Sequence, residues 1–244
     1  MKVAILGAGN GGCTVAADLS LRGHMVTLIK TSSTMHNENF QYLLDNDGEI
    51  SIFENQEMKK TSIYKVTTDL SEVANAEIII VYIQTNYHEL LIKKIVRYIR
   101  DEQIIVFNPG YLSTAYMLKH GKNKNITIVE AQSSFIDCRI LEPGVVKVGF
   151  RNVRNPLGVY PYKHINRAKE KLDMLGFPFT YLSSVVEAAL HNPNLIVHTV
   201  GAVMSIPRIE KTKGDYVMYH EVFTPSVWNI LEKLDGEKMD VLEA

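Results

Sequence analysis

Gly7, Gly9 and Gly12 stand at the spacing G-x-G-x-x-G, directly behind a short apolar run, Val3–Leu6, and ahead of a helical stretch, Thr14–Leu21. That order suits a phosphate cradle. Gly7 permits the tight turn off a strand, Gly9 lets backbone come close to a pyrophosphate, and Gly12 lets the helix pack against the sheet. Asn10 and Gly11 complete the loop, and the free N–H groups of a helix N-terminus attract negative charge. A glycine-rich turn is the plain alternative. The strand before, the helix after and a second strand at Met25–Ile29 favour dinucleotide binding. Where that second strand ends, NAD-specific sites usually carry a carboxylate for the ribose 2′-hydroxyl. Here stand Lys30, Thr31 and Ser32, a cation and hydroxyls suited to a 2′-phosphate. NADP is therefore the expected cofactor, with NAD as the second choice.

A second group could move protons. His198 lies one helical turn after Asn194, so the two share a helix face. Histidine transfers protons near neutral pH, although a lone histidine is more often a satisfied core residue, and spacing alone does not decide. His191 precedes a helix start and reads as a local partner. His88 could line the nucleotide cleft or cap a helix, and His220 with Glu221 reads as surface. No His, Cys, Asp and Glu set has metal-ligand spacing, so no metal is expected. No serine sits in a nucleophile elbow.

The elements that must position these residues alternate between strand and helix. After Met25–Ile29 comes a polar helix around Thr34–Leu44, then an Asn46-Asp47-Gly48 turn. Glu49–Phe53 and Ser62–Val66 read as antiparallel strands. Glu77–Ile83 is a continuous apolar run, as expected of a parallel strand buried on both faces. Tyr87–Ile99 reads as an amphipathic helix, Gln103–Phe107 as a strand broken by Asn108-Pro109-Gly110, Ile126–Val129 and Val145–Phe150 as further strands, and His164–Leu175 as a helix ending at Gly176. This alternation predicts an α/β fold with a Rossmann-type doubly wound parallel sheet. From Ser183 onward helix signals dominate. Asn192-Pro193 opens a helix to about Ile206, and Thr224-Pro225 opens another with Val227, Trp228, Leu231 and Leu234 on one side. The expected domains are 1–182 and an all-helical 183–244. The second is short, and its last helix runs to Ala244 with that apolar side unmatched, which leads us to expect an incomplete helical domain or a homodimer formed through it.

Bulk composition narrows the function classes. The 244 residues carry a formal net charge of −1, which gives no reason to expect nucleic acid or an anionic membrane as partner. No apolar run approaches the roughly 20 residues of a membrane span, and a core strand at the N-terminus argues against a cleaved signal peptide. The two cysteines, Cys13 and Cys138, read as small buried side chains, so a reducing cytoplasm is the expected location.

GAGNGG near the N-terminus, FNPG at 107–110, VEAQSSFIDCR at 129–139, NLIVH at 194–198 and YHEVFTPSVWNILEKLDGEK at 219–238 follow one another in this order. Together they resemble the opine dehydrogenases, the octopine/nopaline dehydrogenase group, over essentially the whole chain. The resemblance implies an enzyme that condenses the amine of an amino acid with a 2-keto acid and reduces the imine with a nicotinamide. It implies that His198 is the catalytic histidine and Asn194 its substrate-binding companion. Gly7, Gly9, Asn10 and Gly12 match the phosphate loop, and His88 resembles the histidine that follows the fourth sheet strand. Gln84-Thr85, assigned to the cofactor site, replace a more usual Pro-Ala. Arg139 matches an arginine to which no role is attached. The family's downstream aspartate finds no counterpart in 199–244. Two other readings stand beside this one. A ketopantoate-reductase-like or glycerol-phosphate-dehydrogenase-like enzyme would need a catalytic lysine, and the helix 193–206 has none. A nucleotide-binding protein without catalysis would keep only the first domain's chemistry.

Overall fold

The computed structural model describes residues 1–121 and 124–243; Ala244, the expected end of the last helix, lies outside them. The described chain divides into two compact units, Met1–Ala189 and 190–244. The expected division after residue 182 falls one short helix earlier.

In the first unit β1 (Lys2–Leu6) is followed by α1 (Asn10–Leu21), β2 (Met25–Ile29) and α2 (Asn37–Asp45). Then come β3 (Glu49–Glu54), β4 (Glu57–Ser62) and β5 (Lys65–Thr67). The chain continues through β6 (Ile78–Val81), α3 (His88–Ile95), β7 (Ile104–Phe107), α4 (Ser113–His120) and β8 (Thr127–Ala131). It closes with β9 (Ile136–Glu142), β10 (Val145–Arg151), β11 (Asn155–Tyr160), α5 (Ile165–Asp173), β12 (Phe179–Tyr181) and α6 (Val185–Leu190).

The main sheet has eight strands in the order β12-β11-β8-β7-β6-β1-β2-β5. Its centre is parallel, with Leu6 level with Val81 and Ile29. The runs 78–81 and 104–107 are buried throughout, as strands covered on both faces must be. β11 turns against this direction and pairs antiparallel with β8. On one face, Val15, Ala16 and Leu19 of α1 and Ala168 and Leu172 of α5 fill the core. On the other, Leu91, Ile92 and Ile95 of α3 and Met117 of α4 do so. The strand order reverses between β1 and β6, and the crevice outside their carboxyl ends is where an open α/β sheet binds ligand.

A smaller sheet, β4-β3-β10-β9, packs on the outer side of α1. It corrects one expectation from the sequence. Ser62–Val66 is not the antiparallel partner of Glu49–Phe53. The partner is β4, reached through Asn55 and Gln56, whose φ angles of 50° and 67° form a two-residue hairpin loop. Lys65–Thr67 instead joins the main sheet, parallel to β2. β4 (EMKKTS) is polar and largely exposed on this edge, so hydrophobic alternation gave no signal for it. Arg151 ties the two sheets together through α1. Its guanidinium donates to Asp18 at 2.8 Å and to Glu54 at 2.7 and 2.9 Å.

The second unit holds α7 (Asn194–Thr212), α8 (Met218–Glu221) and α9 (Pro225–Glu243). The Asn192 side chain accepts the N–H of Asn194 at 3.0 Å and so caps α7. α7 runs past the expected end at Ile206 because Pro207 is accommodated inside it, and this places Lys211 in its last turn rather than in a loop. The apolar side of α9 is mostly covered within the unit. Val227 and Leu231 are buried against Ile196 and Val200, and Leu234 packs on the same cluster. Only Trp228 of the expected uncovered residues stays exposed. Among the described residues no helix is long and apolar enough to cross a membrane.

Candidate functional site

The glycine loop lies at the β1/β6 crossover. Gly7 has φ +117°, and a Cβ there would stand 2.2 Å from the Tyr82 carbonyl oxygen, so the turn off β1 requires glycine. A Cβ on Gly12 would stand 1.8 Å from the Gly7 carbonyl oxygen, and one on Gly11 would meet the Tyr82 ring at 2.8 Å. Gly9 differs. Its Cβ position meets nothing within 4 Å except the His36 ring, at 3.5 Å. No side chain caps α1 and no acid sits in its first turn. The first N–H groups of the helix therefore face that opening with their positive end and no internal partner. Asn10 does not turn its amide to this opening; its Oδ1 accepts the N–H of Ile140 at 2.9 Å and pins β9 to the helix.

At the end of β2 Lys30 is buried, and its ammonium donates to the Met35 carbonyl beside the Phe40 ring. Burial pulls its pKa below the ordinary lysine value. Thr31 and Ser32 are half-buried, and the Ser32 hydroxyl accepts the N–H groups of Thr34 and Met35. Across the crevice, Gln84 is exposed at the start of a 3₁₀ turn, Thr85–Tyr87, with Thr85 half-buried.

At the ends of β7 and β8 lies a cluster of which the sequence singles out His88, as a residue that could line the nucleotide cleft or cap a helix, and Asn108 as part of a strand breaker. Asn108 precedes a cis proline and is 1% exposed, and neither atom of its side-chain amide meets a hydrogen-bond partner among the described residues. Glu130, fully buried on β8, accepts the N–H groups of Leu112 and Thr114, each at 2.7 Å, and so holds the turn that leads into α4. Burial pushes its carboxyl above the usual range. His88 is also fully buried. Its Nδ1 lies 2.5 Å from Ser113 Oγ and its Nε2 3.2 Å from the Ile83 carbonyl, while Ser113 Oγ donates to the Gly110 carbonyl at 2.7 Å. Filling all these contacts needs a proton on both ring nitrogens and one on the hydroxyl. A neutral ring supplies one fewer, so one contact goes without.

Protonation would complete that network, but burial opposes it and lowers the His88 pKa from 6.5 to about 4. In the unfolded chain the ring takes its proton as pH falls through the ordinary value. The folded ring resists until near the lower one. The His88 contribution to stability is thus fully present above pH 6.5 and is lost on the way down to about 4, reaching about 3 kcal/mol at the bottom of that window. Urea melts at pH 7 and 5 should show the wild-type chain losing about 2 kcal/mol more than His88→Gln over this step. Equal losses would show that the ring titrates normally.

In the helical unit, Asn194 and His198 are both exposed on α7. His198 Nε2 is hydrogen-bonded to the Tyr219 hydroxyl of α8. Their rings meet edge to face at 5.9 Å, and Tyr219, Phe223 and Trp228 continue the aromatic row. Tyr219 was missed as a candidate, although its motif was noticed, because no helical spacing links it to His198. Among the described residues no His, Cys, Asp or Glu group could hold a metal.

Residues 3–148 match the family model described as ketopantoate reductase PanE/ApbA. Residues 181–244 match that of the NAD/NADP octopine/nopaline dehydrogenase alpha-helical domain. The chain is 27% identical to an opine dehydrogenase of Arthrobacter sp. (strain 1C), over 99% of this chain and 67% of that protein. By the model that matches more than half of it, the chain belongs to the ketopantoate reductase PanE/ApbA family, and over its whole length it is similar to opine dehydrogenases. Among solved structures, octopine dehydrogenase with NADH and agmatine superposes with a TM-score of 0.68 at 18% identity, covering 89% of this chain and 56% of that one. A PanE/ApbA family ketopantoate reductase from Ralstonia eutropha JMP134 gives 0.71 at 16% identity, covering 100% and 74%. These two likenesses speak to fold. The chain has a Rossmann-like parallel-sheet domain followed by helices. The chain spans little more than half the length of octopine dehydrogenase.

The residues at the crossover fit a nicotinamide dinucleotide. Gly9 leaves a cradle that a Cβ would enter, the α1 N–H groups stand unpaired behind it, and the buried Asn108 amide has donor and acceptor free.

Proposed function

We propose that the chain carries out NAD(P)H-dependent reduction of the imine formed between a 2-keto acid and the amine of an amino acid. The observation that carries this reading is the helical unit, whose match to the octopine/nopaline dehydrogenase helical domain spans Asn194, His198 and Tyr219. A bound reduced nicotinamide supplies hydride. The chain's own part is to bind, orient and move protons. The glycine loop and the start of α1 hold phosphates. Asn108 offers a buried amide to a carboxamide or carboxylate. His198 gives a proton to the hydroxyl that leaves as water when amine and keto acid condense, with Tyr219 fixing the ring through Nε2. Asn194, one turn away, hydrogen-bonds the substrate.

The PanE/ApbA match over the first unit favours a second reading, plain reduction of a keto acid. Against it, the only cation in the terminal turns of α7 is Lys211, at the far end from Asn194. The test is NADPH consumption with pyruvate, with and without a panel of amino acids. Turnover that needs the amine supports imine reduction, and turnover without amine supports the second reading.

We also propose NADPH ahead of NADH, because no carboxylate follows β2. A 2′-phosphate must draw the Lys30 ammonium from the Met35 carbonyl, and the Thr31 and Ser32 hydroxyls stand beside it. Fluorescence titration should give the lower Kd for NADPH, and Lys30→Met should narrow the gap. Equal affinities in the wild-type chain would end this assignment.

A further inference from the structure

The residue that faces Gly9 is not one that the spacing of the glycine loop or the end of β2 points to. His36 closes the segment after β2, and its Cδ2 and Nε2 each lie 3.5 Å from the position of a Gly9 Cβ. Nothing else comes within 4 Å of that position. The backbone at His36 is left-handed, with φ 54°, a conformation that a residue with a Cβ adopts only under constraint. The constraint is visible. The Ser32 hydroxyl gathers the N–H groups of Thr34 and Met35, the Lys30 ammonium holds the Met35 carbonyl, and the His36 carbonyl accepts the N–H of Phe40 at the start of α2. These contacts turn Lys30 into the protein and bring the imidazole to the mouth of the loop. Among the described residues the ring meets no hydrogen-bond partner. No acidic side chain stands in the first turn of α1 to receive it.

We infer that His36 is a phosphate-facing residue of the dinucleotide site, one that donates an imidazole N–H to the pyrophosphate held over Gly9. The inference rests on the reading that the glycine loop holds a nicotinamide dinucleotide. It adds a side-chain donor where the motif supplies backbone alone. The pyrophosphate is common to both cofactors, so His36 contributes equally to NADH and NADPH. It takes no part in choosing between them.

The test titrates the whole chain with NADH and with NADPH, following nicotinamide fluorescence. His36→Asn is the principal variant, because asparagine tolerates the left-handed backbone while its shorter side chain falls back from the loop. His36→Ala is the second, and thermal melting without cofactor establishes that each is folded. Losing one hydrogen bond to a charged group should weaken both cofactors by about tenfold, by the same factor. Unchanged or tighter binding in folded His36→Asn would overturn the inference. So would a loss confined to NADPH, which would assign the ring to the 2′-phosphate. A wild-type chain that binds neither cofactor would instead overturn the dinucleotide reading beneath it.

Discussion

Gly12→Ala should abolish measurable dinucleotide binding and lower the melting temperature of the chain. The new methyl group would sit 1.8 Å from the Gly7 carbonyl oxygen, well inside van der Waals contact, and both partners are backbone. No rotamer change relieves such an overlap. Either α1 moves off the sheet or the β1 turn opens, and each displaces the N–H groups that must face a phosphate. Overpacking of this kind typically costs about 1–3 kcal/mol, with more where nothing can yield. Gly9→Ala is the matched control, since its methyl group enters open space beside the His36 ring. It should melt like the wild-type chain and still bind poorly. NADH fluorescence titration and thermal melting on both variants check the pair. Wild-type affinity in Gly12→Ala would mean that the loop is not built as described.

His198→Ala should lower amine-dependent NADPH turnover by about 100-fold or more, the usual scale of lost acid–base catalysis. Dinucleotide affinity should stay within about twofold, because lost proton transfer raises the barrier without touching ground-state cofactor binding. The ring is exposed and bonded only to the Tyr219 hydroxyl among the hydrogen bonds it makes, so its removal leaves no buried polar group stranded. Stability should be nearly unchanged, and a fall in turnover then reads as chemistry. Turnover equal to that of the wild-type chain would remove His198 from the mechanism.

The glycine loop was legible because its residues answer to local rules. A turn, a helix start and a close helix–sheet contact each demand glycine at a fixed spacing. The central strands were legible for a similar reason, since burial on both faces leaves unbroken apolar runs such as 78–81. Residues placed by contacts distant in sequence were not. Glu130 and His88 meet the same turn from different elements, and nothing in the one-dimensional pattern joins them. Lys30 follows the last residue of β2, Ile29, and its side chain turns to Met35 and Phe40. His36 stayed invisible because a left-handed histidine has no sequence signature. The short edge strand β4 is polar on both faces, and only its hairpin turn betrays it. Helical spacing singles out His198 and Asn194 as candidates. The choice between core and chemistry came from the family resemblance, and the exposure of the ring fits the second.

The tie between Arg151, Asp18 and Glu54 bears on the order of events during synthesis. α1 lies between two sheets, and the strands that cover its outer face, β9 and β10, come more than a hundred residues after it. Asn10 waits for Ile140, and Asp18 waits for Arg151. A chain emerging N-terminus first can pair β1 with β2 and lay α1 on them early. It cannot close the outer layer until residue 151 has left the ribosome, because β3 needs β10 beside it. Contacts so far apart in sequence form slowly. Until residue 151 has emerged, the nascent protein therefore carries α1 with one side open to water, and that side is where a holding chaperone would find apolar surface.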